Sequence, residues 1–167
     1  MRSLHRLPRL LAAAALLAAL ATPAAATPWR VTPGESIQAA IDRAAPGDVI
    51  EIERGRYAGQ LLVDKPLTLR GIERPTIDGE LKENTISIKA EGVTIEGLIV
   101  ANSGGDTLYQ HAGVYIYPGS HKAVVRNCDF SYTLFGLWIE KADDVLIENN
   151  LITGKRDFDS SQRGNGI

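Results

Sequence analysis

The sequence predicts an all-β fold: a right-handed parallel β-helix with three short strands per coil and an N-terminal helical cap. Three observations predict it. Four stretches can be laid over one another residue by residue: Leu67-Thr68-Leu69-Arg70-Gly71-Ile72, Val93-Thr94-Ile95-Glu96-Gly97-Leu98, Ala123-Val124-Val125-Arg126-Asn127-Cys128 and Val145-Leu146-Ile147-Glu148-Asn149-Asn150. Their starts lie 26, 30 and 22 residues apart, a period at which each unit buries its apolar face only against the next. The fifth place is Gly71, Gly97, Asn127 or Asn149. Gly and Asn enter left-handed backbone conformation at least cost, so these four are expected to turn corners with positive φ.

The elements follow in order. Ile37, Ala40, Ile41 and Ala44 recur at helical spacing and predict a short amphipathic helix over Ser36–Ala45. Glu35 or Ser36 caps its start and Pro46-Gly47 stops it. Set before the first expected strand, at Asp48–Ile52, it serves as a lid on an otherwise exposed core and strand edge. From Leu67 each coil reads as three strands. One coil holds Gly113–Ile116, Val124–Arg126 and Cys128–Phe130, and the next holds Gly136–Ile139, Leu146–Glu148 and Asn150–Ile152. Leu69, Ile95, Val125 and Ile147 are expected to stack inside, and Asn127 to form an amide ladder with Asn149. Gly166-Ile167 opens another coil in mid-strand, which reads as a β-helix incomplete at its C-terminus. Hexapeptide repeats of a left-handed helix do not fit these periods, and the copies lack the turns of an antiparallel sandwich.

Residues 1–26 read differently. Arg2, His5, Arg6 and Arg9 precede the apolar run Leu10–Ala21 and the small residues of Pro23-Ala24-Ala25-Ala26, the pattern of a cleaved export signal. The expected organisation is therefore a signal peptide at 1–26, a cap at 27–48 and coils at 49–167, with export to the periplasm. No later apolar run reaches membrane-spanning length. Beyond the signal remain 15 basic and 20 acidic side chains, a net negative charge that argues against a nucleic-acid partner. The single cysteine, Cys128, allows no internal disulfide; it reads as a small buried hydrophobe, with a copper thiolate as the alternative.

Two long segments stand out as places for chemistry, Ala101–Ala112 and Thr153–Asn165. Both precede the glycine that opens a coil, and insertions at equivalent points of a solenoid emerge on one side. They are expected to leave adjacent coils and to offer Tyr109, His111, Arg156, Phe158 and Arg163 to a partner, aromatic and arginine side chains being common interface anchors. Lys155-Arg156 reads as a solvated basic pair. Asp143-Asp144 is the adjacent acidic pair, but it falls in a turn, where acids are ordinary; no catalytic residue is assigned. His111 and His121 are the weak metal candidates, with no H-x-H or C-x-x-C spacing to support them.

Ser36-Ile37-Gln38-Ala39-Ala40-Ile41, Pro46-Gly47-Asp48-Val49-Ile50 and Gly55-Arg56-Tyr57 resemble the N-terminal cap of right-handed β-helices of the carbohydrate-binding and sugar-hydrolase (CASH) type. Gly113-Val114-Tyr115-Ile116-Tyr117, Gly154-Lys155-Arg156-Asp157-Phe158 and Arg163-Gly164-Asn165-Gly166-Ile167 are similar to NosD-type periplasmic accessory proteins of nitrous oxide reductase. That resemblance implies a non-enzymatic maturation factor for the reductase's copper–sulfur centre. Its implied partners are an ABC transporter and the reductase or a copper chaperone, and copper is implied as a possible cofactor. The competing expectation is a secreted carbohydrate-binding or polysaccharide-cleaving β-helix.

Overall fold

The computed structural model describes residues 28–160 and 163–167; the signal assigned to 1–26 lies outside them. The chain begins with β1 (Trp29–Val31) and α1 (Ile37–Arg43), then winds through five sets of strands. These are β2 (Val49–Ile52), β3 (Arg56–Ala58) and β4 (Leu61–Val63); β5 (Thr68–Gly71), β6 (Thr76–Lys82) and β7 (Ile86–Ile88). Next come β8 (Thr94–Glu96), β9 (Ile99–Ser103) and β10 (Ala112–Ile116); β11 (Val124–Arg126), β12 (Asp129–Thr133) and β13 (Phe135–Ile139); and finally β14 (Leu146–Glu148) and β15 (Leu151–Gly154). Every strand pairs in parallel with the equivalent strand one coil away, giving sheet A (β1-β2-β5-β8-β11-β14), sheet B (β3-β6-β9-β12-β15) and sheet C (β4-β7-β10-β13).

Alternation of apolar and polar residues turns one side of each strand inward, and parallel register then stacks like on like. In sheet A the column is Ile50, Leu69, Ile95, Val125 and Ile147. In sheet B it is Tyr57, Ile77, Val100, Phe130 and Ile152. In sheet C, Val63, Ile88, Ile116 and Ile139 align. The expected Leu69–Ile147 stack is therefore present; Leu69, Ile95 and Val125 are fully enclosed, while Ile147 is half-buried.

The first strand is not the one expected at Asp48–Ile52, which is β2, but Trp29–Val31, which extends sheet A beyond it. Its short length and flanking Pro28 and Pro33 hid it. Asp48 ties this end together, accepting from Trp29 Nε1 and from Ala45 N, both at 2.8 Å. The helix is where it was expected. Ser36 Oγ is the N-cap, accepting from Ala39 N at 3.1 Å, while Glu35 instead accepts from Thr32 N. Ile37 and Ile41 face the core. Gln38 closes the free edge of sheet C: its amide accepts from Leu62 N at 2.9 Å and donates to Leu62 O at 3.2 Å, standing in for a missing neighbour strand.

Three of the four corner residues behave as expected, with φ of 71° at Gly97, 55° at Asn127 and 54° at Asn149. Gly71 does not; it stays in β5, and Glu73 and Arg74 turn the corner at φ 57° each. Glycine is needed at 71 for space, because a Cβ there would lie 2.2 Å from Gly97 O. The asparagine ladder also differs. Asn127 and Asn149 are exposed, and it is Asn150 that bridges coils, accepting from Cys128 N and donating to Val125 O, both at 2.9 Å. A corner residue at positive φ points its side chain outward; the next residue points in.

On the outer side of sheet A the register lines up Arg30, Glu51, Arg70, Glu96, Arg126 and Glu148. Charge alternates at every step. Glu96 sits at the centre, 2.6 Å from Arg70 Nε and 2.7 Å from Arg126 Nη2. Partial burial raises its pKa, but the hydrogen bonds and charges of the two arginines outweigh that and hold it below the usual glutamate value.

Two outcomes follow from this packing. Ile95→Ala should cost about 2–5 kcal/mol in urea unfolding, and Ile147→Ala clearly less because water already reaches it. Glu96→Gln should cost about 1–3 kcal/mol at neutral pH through lost charged hydrogen bonds. A carboxylate with a depressed folded pKa contributes stability above its unfolded pKa and loses it as pH falls through the folded value. The gap between wild type and Glu96→Gln should therefore close below about pH 4; a gap that stays constant into acid would contradict the assignment.

Candidate functional site

The connections from sheet B to sheet C are where coil length varies. The chain crosses from β6 to β7 through residues 83–85, from β9 to β10 through 104–111, and from β12 to β13 through Leu134 alone. Residues 155–160 leave β15 at the same corner. The two long loops thus share a corner but not adjacent coils, correcting the sequence expectation: the tight Leu134 turn lies between them. They still meet across it, since a Cβ on Gly105 would stand 3.2 Å from the Phe158 ring.

Loop 104–111 is a built structure. Asp106 Oδ1 accepts from Leu108 N at 2.8 Å and Tyr109 N at 3.4 Å, a local turn that aspartate favours. Asp106 N donates to His111 Nδ1 at 3.3 Å, and His111 N donates back to Asp106 O at 3.1 Å. The Nδ1 acceptor role puts the neutral imidazole's proton on Nε2. Gly104 makes room for the ring, because a Cβ there would lie 2.2 Å from Nδ1. Tyr109 stacks beside His111, centroids 6.2 Å apart, and remains 66% exposed.

The second loop holds its residues differently from expectation. Lys155 is not solvated; it is 3% exposed, with Nζ 4.1 Å from the Tyr132 ring centroid and 5.6 Å from that of Phe158. Burial pulls its pKa down, and Asp157 opposes that. Asp157 accepts from Tyr132 OH at 2.6 Å. Arg163 is engaged in the loop itself, its Nε donating to Phe158 O at 2.6 Å and Nη2 to Arg156 O at 2.7 Å. Phe158 is half-buried, whereas Tyr109 and Arg156 are exposed. Beneath the corner lies a column of enclosed hydroxyls: Thr85 donates to Ala101 O, Ser103 accepts from Leu134 N, and Thr133 Oγ1 has no partner among the described residues.

His111 and His121 sit at opposite ends of β10, where His121 Nδ1 accepts from Asp143 N at 3.0 Å. Among the described residues no group of three or more His, Cys, Asp or Glu is placed to hold a metal ion. Asp143-Asp144 lies on that far corner, away from both loops, with Asp144 at φ 57°. Cys128 is fully enclosed and burial pushes its thiol up to about 11, which suits a packing role better than a thiolate ligand.

Sequence reading missed the outer face of sheet C. Tyr115 and Tyr117 stack at 4.1 Å, and Lys89 Nζ stands 4.5 Å from the Tyr117 ring. Tyr115 OH donates to Glu140 at 2.7 Å; burial and that carboxylate push its phenol up to about 12. Phe135 and Trp138 meet edge to face at 4.9 Å. The available signal was phase: these tyrosines and the tryptophan occupy places where the alternation calls for a polar residue. Two clefts open on this face. One, of ≈ 440 Å³, is lined by Glu83, Asn84, Asp106, Tyr109, His111 and Tyr117. The other, of ≈ 480 Å³, shares Glu83, Asn84 and Tyr117 and reaches Gln38 and Asp42 of α1.

The family model described as the right handed beta helix region matches residues 83–167. A protein named Probable ABC transporter binding protein NosD from Pseudomonas aeruginosa is 31% identical over 113 residues, 68% of this chain and 26% of the relative. The protein of the same name from Stutzerimonas stutzeri is 29% identical over 113 residues, with the same shares covered. The chain thus spans about a quarter of the length of these relatives. Among the described residues no helix is long and apolar enough to cross a membrane.

The enclosure of Cys128 has a direct readout. A thiol reagent such as DTNB should leave the native protein unlabelled on the timescale of minutes and react with one thiol per chain after denaturation. Fast labelling of the native protein would show that the thiol is reachable and return it to the ligand candidates.

Proposed function

The chain belongs to the right-handed β-helix family, and from that premise we propose that it is a periplasmic accessory protein working with an ABC transporter. Its task in this reading is assembly of the copper–sulfur centre of nitrous oxide reductase, to which it contributes a docking scaffold rather than catalysis. One observation carries the proposal: the similarity over 68% of the chain to two proteins named as ABC transporter binding proteins. The geometry supports the scaffold role. A rigid stack of coils presents both long loops at one corner, with Tyr109 and Arg156 exposed there. Aromatic and arginine side chains on a rigid support lose little freedom on binding and make effective anchors. The transporter, the reductase and a copper chaperone are the partners proposed for that corner; copper is cargo passed between them.

Export through the residues 1–26 is part of the same proposal, because the centre would be assembled outside the cytoplasm. Deleting the gene should leave nitrous oxide reductase exported but without the absorption spectrum of its copper–sulfur centre. A full-length gene carrying Tyr109→Ala and Arg156→Ala should restore it poorly, by about tenfold or more in reductase activity, with the thermal unfolding of the purified variant unchanged. Normal reductase in the deletion strain would overturn the reading, as would polysaccharide cleavage by the purified full-length protein. Full rescue by the double variant would move the docking surface away from the loop corner.

A further inference from the structure

The outer face of sheet C carries an unassigned groove. Its two clefts adjoin at Glu83, Asn84 and Tyr117 and together make a path from Gln38 and Asp42 of α1 to Asp106, Tyr109 and His111. That path crosses β4, β7 and β10, and strands about 4.8 Å apart give it room for roughly three or four extended residues. We propose that this groove binds an extended basic segment of a partner protein, with a lysine or arginine side chain seated in the cleft of Glu83, Asp106 and Tyr109. The inference rests on the reading that the chain works by docking and adds the chemistry of what docks.

Charge is the first reason. Asp42, Glu83 and Asp106 make no ion pair among the described residues, whereas the carboxylates of Glu51, Glu96 and Glu148 on sheet A all face arginines. Lys89 is the lysine lining the groove, and its ammonium already lies over Tyr117. At the α1 end Lys65 Nζ also stands near, donating to Asp42 O at 3.0 Å, so it is the end with Glu83 and Asp106 that carries two carboxylates without an ion pair. Aromatic placement is the second reason. Tyr109 is 66% exposed with one face towards His111, leaving the other to a cation beside two carboxylates, an arrangement that attracts ammonium and guanidinium groups. Hydrogen bonding is the third. Asn84 is 8% exposed; it accepts from Ala112 N at 2.8 Å and donates to Tyr117 OH at 3.4 Å. Its second amide hydrogen has no partner among the described residues and suits a peptide carbonyl. A bare metal ion lacks the ligand cluster it would need here.

The test uses the purified protein and a fluorescein-labelled pentapeptide of alternating lysine and glycine, read by fluorescence polarisation. Saturable binding is expected, and it should weaken steeply as salt is raised, since the pairing is partly exposed. The same peptide with glutamate in place of lysine should not bind. Glu83→Gln with Asp106→Asn should weaken binding about tenfold; asparagine keeps the Oδ1 that accepts from Leu108 N, so the loop turn survives. Glu148→Gln, on sheet A, should change nothing. Absence of lysine-peptide binding would overturn the proposal, as would equal binding of the glutamate peptide or indifference to the double substitution. Displacement of the peptide by a neutral oligosaccharide would overturn it in favour of a sugar site. No transporter or reductase is present in this assay, so its failure leaves the reductase experiment standing, and failure of that experiment leaves this one interpretable.

Discussion

Parallel register between coils is the constraint on which the rest of this structure depends. Each strand hydrogen-bonds only to its equivalents in the coils on either side, so every coil must return to the same place in all three sheets. A one-residue slip in any strand would turn its apolar column outward. The columns Ile50–Ile147 and Tyr57–Ile152 make that slip expensive, because each enclosed aliphatic side chain is worth about 1.5–3 kcal/mol of burial. Close backbone approach at Gly71 and Gly97, and the bridging amide of Asn150, hold the corner between sheets A and B at fixed height.

The same constraint decides where length can vary. Sheet A to sheet B is a tight corner, kept short by left-handed residues such as Asn127 and Asn149. Sheet B to sheet C accepts anything from Leu134 alone to the eight residues 104–111, and a further excursion leaves β15 at Lys155. Loop-closure entropy grows slowly with length, so a corner that tolerates one insertion tolerates a longer one. The two excursions are then pulled together by Phe158 against Gly105 and by Lys155 enclosed beside Tyr132. Variable material on an invariant stack gives a positioned surface.

The outer faces divide the electrostatic work. On sheet A, alternating arginine and glutamate neutralise one another from Arg30 to Glu148, so the face offers little net field. On sheet C the outer positions of β10 and β13 are the aromatic Tyr115 and Trp138, and the carboxylates of Asp42, Glu83 and Asp106 along its groove make no ion pair among the described residues. A net negative chain with its balanced charges on one side and its unbalanced ones on another has a preferred side for a partner.

Periodicity and turn chemistry were local enough for the sequence by itself to determine the parallel coils, the inward column through Leu69, Ile95, Val125 and Ile147, the Ser36-capped helix and the corners at Gly97, Asn127 and Asn149. The alternation of side chains along a strand and the φ preference of Gly and Asn act within a few residues, so they can be read without a partner strand. Other features exist only once coils are stacked. Trp29–Val31 is a strand because Val49–Ile52 lies beside it, and Gly71 is glycine because Gly97 O is overhead. Lys155 is enclosed because Tyr132 and Phe158 close over it, and Arg163 is taken up by carbonyls that its own loop brings near. The groove joins residues from Gln38 to Tyr117, spaced along the chain by two or more coils. Such distances are set by the register of one coil on the next, and only the tertiary structure contains that register.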